Sequence, residues 1–154
     1  MNYLGIEANV QNLPELDRSF FPLYKFNHAF LASAKKPIGI AVERSGGEMA
    51  SVRTFLHGTP DRLEADRYYI RRLVKSILWM KGGWRVYISG DHDMYDYIRE
   101  CFSADGCQAF DWDYFSNIYE RPFEVVYTDT LPEAKDSPRP AGGHFNGCPI
   151  GFDA

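Results

Sequence analysis

The sequence predicts an α/β fold: a mixed sheet that opens with an antiparallel hairpin, continues with parallel strands and carries packed helices. Three observations predict it. Residues 38–42 (IGIAV) form an apolar run of strand length, and Ser45-Gly46-Gly47 separates them from the loosely alternating run at 49–56. That is the pattern of two strands joined by a glycine turn. Residues 62–81 place Leu63, Ile70, Leu73, Val74, Ile77, Leu78 and Met80 at spacings near three and four, then stop at Gly82-Gly83, as an amphipathic helix does. Two further strand-like runs, 84–89 (WRVYIS) and 123–128 (FEVVYT), are separated by helical pattern, so they are joined by a crossover.

The remaining elements follow in order. Residues 1–23 carry Pro14 and Pro22 and show no clear period. Residues 24–33 (YKFNHAFLAS) read as a short helix with Phe26, Phe30 and Leu31 on one side, closed before Pro37. Thr59 or Asp61 can cap the long helix. Gly90-Asp91 ends a strand and opens a helix striped by Met94, Ile98, Cys101 and Phe102. A further short helix is expected over 112–119. The segment 131–148 is rich in proline and glycine and reads as a linker or an extended surface arm. The run 149–154 then starts a new apolar strand and stops at Ala154, which suggests a truncated chain. The expected organisation is an α/β domain at 1–130, the linker or arm at 131–148 and the start of another domain at 149–154.

Composition narrows the function classes. At 154 residues and 45% hydrophobic content the chain can bury a core without a metal or disulfide staple. A net charge of −4, from 17 basic and 21 acidic residues, lacks the basic footprint of a nucleic-acid binder. Lys35-Lys36 is the sole basic pair in the first 60 positions, and no helix–turn–recognition-helix pattern accompanies it. No apolar run approaches the length of a membrane span. Cys101, Cys107 and Cys148 are odd in number and lack C-x-x-C spacing. They read as reduced thiols of a cytoplasmic protein.

Candidate chemistry is sparse. Parallel strands direct their carboxyl-end loops toward ligands, and Asp91, His92 and Asp93 lie in such a loop. Two carboxylates and an imidazole can hold a divalent metal. Alternatively Asp91 caps the helix and Asp93 favours its positive end. Cys101 falls on an apolar stripe and reads as a core thiol. His28, His57 and His144 have no ligand spacing, and no Ser-His-Asp, Walker or G-x-G-x-x-G pattern is present. The aromatic set Tyr68, Tyr69, Trp79 and Trp84 is better suited to a core or an interface than to base stacking.

The strings LVKSILWMKGGWRVYISGD and YERPFEVVY, followed by GCPIGFDA, resemble the N-terminal extension of long bacterial ROK-type proteins (repressor, open reading frame, kinase). Ile150-Gly151-Phe152-Asp153-Ala154 resembles the first strand of the sugar-kinase, heat-shock and actin ATPase superfamily. In that superfamily the strand continues into a Gly-Gly-Ser/Thr phosphate turn. The resemblance implies that Asp153 positions Mg²⁺ in a parent sugar kinase that uses Mg·ATP. It also implies that this chain is a non-catalytic accessory domain without a cofactor of its own. Its partner would be its own C-terminal ATPase domain, or a second copy in a homo-oligomer, and neither nucleic acid nor membrane. The alternative is a stand-alone metal-binding or hydrolytic domain centred on Asp91, His92 and Asp93. Ile38 to Glu43 with the turn after them echo the ATPase strand, with Ala41 where that strand has its aspartate. This admits a degenerate ribonuclease H-like domain or a chance echo.

Overall fold

The computed structural model describes residues 1–136. The strand expected at 149–154, Asp153 and most of the linker lie outside the described residues. A short hairpin, β1 (Asn2–Tyr3) and β2 (Ile6–Glu7), comes first, followed by helix α1 (Leu23–Ser33). Strands β3 (Lys36–Glu43) and β4 (Met49–Leu56) form the expected antiparallel pair, from Lys36 opposite Leu56 to Glu43 opposite Met49. Then come α2 (Leu63–Lys81), β5 (Arg85–Ser89), α3 (His92–Cys101), α4 (Ala109–Tyr119) and β6 (Glu124–Tyr127). The main sheet has the order β4-β3-β5-β6. It is mixed, as the sequence predicts: β5 and β6 are parallel, and β3 is antiparallel to both of its neighbours.

This order determines where the helices sit. The chain steps from β4 across β3 to β5 through α2, and from β5 to β6 through α3 and α4. Both crossovers move the same way across the sheet. Right-handed connections therefore put all three helices on one face. The core agrees: Ile38, Ile40 and Val42 of β3 and Val86 and Ile88 of β5 cluster with Ile70, Val74 and Leu78 of α2, and with Ile98 and Phe115. Phe26 and Phe30 of α1 are fully buried in the same layer.

Local details depart from the sequence reading in physical ways. The helix α1 ends at Ser33, and Pro37 lies inside β3, where its missing N–H costs no bond to β5 because β5 joins the ladder only from Gly39. The long helix stops at Gly82 (φ 72°), whose N–H still reaches Leu78 O at 2.7 Å. Met80 does not join the apolar stripe; it is exposed. The hairpin β1–β2 turns on Leu4 and Gly5, both at positive φ, and its two-residue strands are too short for any alternation to be read.

On the face of the sheet opposite the helices Gly39, Ala41 and Ser89 leave a shallow place, and the chain after β6 packs there. Leu131 is buried there against Gly39. Lys135 then exchanges both backbone bonds with Met49, at 2.8 and 2.9 Å, beside β4. Residues 131–136 are thus an arm fixed to the sheet. A methyl group at Gly39 would stand 2.5 Å from Ser89 Oγ and 2.8 Å from Leu131 Cδ2. Gly39→Ala is expected to cost about 1–3 kcal/mol by overpacking. Urea denaturation measures this, and protease cleavage after residue 128 should accelerate as the arm is displaced.

Candidate functional site

Because β3 runs against β4 and β5, its first residue, Lys36, lies at the same sheet edge as Leu56 and Ser89, their last residues. The first turns of α2 and α3 open at this edge. A small cleft of about 220 Å³ results, lined by Lys36, Gly58, Thr59, Leu63, Asp66, Asp91 and Asp93. It is the carboxyl-end position where α/β sheets place ligands.

Asp91 is buried and fully committed. Its Oδ1 accepts the Met94 N–H at 3.0 Å, which caps α3, and its Oδ2 meets Lys36 Nζ at 2.6 Å. The hydrogen bond to Asp91 raises the Lys36 pKa above its ordinary 10.5. His92 turns elsewhere: its ring stacks on Tyr127 at 3.6 Å and 17°. Asp93 lines the cleft. Asp91 and Asp93 thus share the cleft while His92 lies outside its lining, and among the described residues no group of three His, Cys, Asp or Glu converges.

The sequence order hides a second arrangement, which corrects the reading that no Ser-His-Asp set exists. Ser33 at the end of α1, His57 just after β4 and Asp66 in the first turn of α2 form a chain of hydrogen bonds. Ser33 Oγ is 2.9 Å from His57 Nε2, and His57 Nδ1 is 3.0 Å from Asp66 Oδ1. With the neutral ring protonated at Nδ1, the hydroxyl donates to Nε2 and Nδ1 donates to Asp66. Asp66, 1% exposed, also accepts the N–H groups of His57 (2.9 Å) and Gly58 (2.8 Å). Phe30 packs edge-on against the imidazole at 4.5 Å.

Two features make this chain a brace and not a nucleophile. Ser33 sits at the carboxyl end of α1, where the helix dipole disfavours a developing alkoxide. The next two amides are already used, Ala34 N by Phe30 O and Lys35 N by Leu56 O, so neither can stabilise an oxyanion. What the arrangement does is fix the 57–58 turn to α1 and α2.

A third buried carboxylate organises a surface. Asp111 in α4 accepts the Trp79 Nε1–H at 2.7 Å and Lys75 Nζ at 2.8 Å, both from α2. Trp79 is thereby held in a stack on Tyr114 at 5.0 Å, and Phe110 stacks on the same ring at 5.9 Å. Much of this aromatic row is in water: Trp79 is 48% exposed, Phe110 68%, Ile118 55% and the adjacent Met80 71%. Nothing in the sequence marks Asp111 as buried except its position on the inner side of α4. The signal for Trp79 would have been its four-residue spacing from Lys75.

No family model, curated protein or solved structure matches this chain.

Asp66→Ala is expected to destabilise the fold by about 3 kcal/mol, because it leaves two backbone donors and an imidazole without a partner. Ser33→Ala should change stability by less than about 0.5 kcal/mol, since the hydroxyl is at the surface. A fluorophosphonate probe should leave Ser33 unlabelled in intact-mass analysis; stoichiometric labelling would show a nucleophile after all. Lys36 has a raised folded pKa, so the stability that its pair with Asp91 contributes is present below the unfolded value and lost as pH rises through the folded one. The melting temperature should therefore fall above about pH 10.5, and less steeply in Lys36→Met.

Proposed function

We propose that the chain is a non-catalytic accessory domain of a ROK-type, sugar-kinase-like cytoplasmic protein. Its task is to dock on the ATPase domain that follows it in the parent chain. The observation that carries this reading is the place where the arm leaves the domain. Ala134 and Asp136 line a cleft of about 360 Å³ with Met80, Lys81 and Ile77 of α2, and Arg44 pairs with Asp136. The arm thus reaches α2 at Met80, the residue that follows Trp79. Trp79 and Phe110, stacked on Tyr114 and about half exposed or more, are the kind of apolar surface that marks an interaction site. A downstream domain tethered next to it meets it at high effective concentration.

The hairpin turn at Ser45-Gly46-Gly47 does not suit Mg·ATP. Ala41 brings no oxygen, and Glu43 accepts the Tyr87 hydroxyl at 2.7 Å and faces Arg85 at 3.4 Å. By the same resemblance Asp153 would belong to the nucleotide site of the parent. A ribonuclease H-like ancestry rests on the echo of the ATPase strand at Ile38 to Glu43 and on the order of the elements from that hairpin on. The alternative of a metal or hydrolytic centre at 91–93 finds Asp91 already bonded to Lys36 and Met94.

Mg·ATP should bind this chain more weakly than about 1 mM by isothermal titration; a low micromolar dissociation constant overturns the reading. The natural reading frame should continue past Ala154 with Gly-Gly-Ser/Thr, and a stop codon there overturns it equally. In the parent protein, Trp79→Ala with Phe110→Ser should split one thermal transition into two.

A further inference from the structure

A pair of cysteines lies apart from both surfaces described above. Cys101 is the last residue of α3 and is buried in the core, whereas Cys107 begins the approach to α4 and is exposed. The loop between them is folded tightly onto the helix end. Gln108 N donates to Cys101 O at 2.9 Å, Gly106 N donates to Ser103 O at 3.1 Å, and Gly106 stands so close to the Glu100 and Cys101 carbonyls that no side chain fits there. The tight loop brings both cysteines to the same cleft at the end of α3. That cleft, of about 460 Å³, is also lined by Arg67, Tyr97, Glu100 and Asp105.

The cleft is polarised. Arg71 Nη1 lies 3.4 Å from Cys107 Sγ, and the Gln108 side-chain amide lies 4.0 Å from it. Burial works to raise the Cys107 thiol, but the Cys101 thiol, Arg71 and Gln108 outweigh it and hold it below its ordinary value. Burial, reinforced by the Cys107 sulfur, pushes Cys101 up to about 11. Of the two sulfurs, Cys107, beside the Arg71 guanidinium, is the one whose thiolate is favoured.

We infer that Cys107 and Cys101 form a peroxide-sensitive dithiol, with Cys107 as the attacking sulfur and Cys101 as the resolving one. In the first step the Cys107 thiolate attacks the distal oxygen of a hydroperoxide. The O–O bond breaks, the alkoxide or hydroxide leaves and takes a proton from solvent, and Cys107 becomes a sulfenic acid. Cys101 then gives up its proton and attacks Cys107 Sγ. The S–O bond breaks, and the departing hydroxide leaves with that proton as water. Two electrons have passed from the sulfurs to the peroxide, and a disulfide closes the 101–107 loop. An external dithiol restores the starting state by exchange. The inference does not depend on the accessory-domain reading.

The test uses the full chain carrying Cys148→Ser, hydrogen peroxide as oxidant, and iodoacetamide quenching followed by intact-mass and peptide mapping. The expected product is a Cys101–Cys107 disulfide that dithiothreitol reverses. Arg71→Gln should slow its formation about five-fold at neutral pH, because the cation favours the thiolate. Cys101→Ser should leave Cys107 as a sulfenic acid that dimedone captures. If that variant fails to fold, the peptide map of the chain with both cysteines decides alone. Oxidation of Cys107 no faster than free glutathione, or its passage to sulfinic acid without a disulfide, overturns the inference.

Discussion

The central strand imposes the main constraint on this molecule. β3 is bonded on both edges and covered on both faces, so its eight residues must satisfy four neighbours at once. On the helix face it offers Ile38, Ile40 and Val42, which the helices cover. On the other face it offers Gly39 and Ala41, small enough for a strap of backbone to approach. The period of two along a strand separates these sets completely. A one-residue slip would put the large side chains under the arm and the small ones under the helices, and both layers would fail. The position of the Lys36 edge and the course of the arm both follow from that register.

Three buried aspartates do the remaining positioning, each stabilised differently. Asp66 uses backbone amides and an imidazole, Asp91 uses a helix N-terminus and Lys36, and Asp111 uses an indole and Lys75. Burying a carboxylate is costly unless such partners are in place. Each therefore acts as a geometric test that only the correct arrangement of elements passes. Asp66 joins α2 to the 57–58 turn, Asp91 joins α3 to β3, and Asp111 joins α4 to α2. Together they orient every helix that follows the hairpin.

Much of the fold was legible because its signals are local. The hairpin at 38–56, the long helix with its glycine stop and the Asp91 cap each depend on residues within a few positions of one another. The opening hairpin was not legible, since two-residue strands carry no period. The amino-terminal turn of α4 was also missed, because Phe110 sits on its outer face and blurs the apolar stripe. The sites were harder still. Ser33, His57 and Asp66 lie on three separate elements, and their meeting depends on the strand order. The core position of Cys101 is legible from the apolar stripe of α3, whereas its place on one cleft with Cys107 arises from a loop whose tightness rests on Gly106, a constraint with no sequence period.

The arm also defines a path for force. A pull on the chain beyond residue 136 loads the Arg44–Asp136 ion pair and the Lys135–Met49 backbone bonds before it loads β6. Next in series is Leu131 in its notch at Gly39. These contacts are few and would peel one after another, whereas β6 is held to β5 along a whole ladder. The arm is therefore a mechanical fuse: it releases several residues of slack under modest tension while the sheet and its core stay loaded and intact.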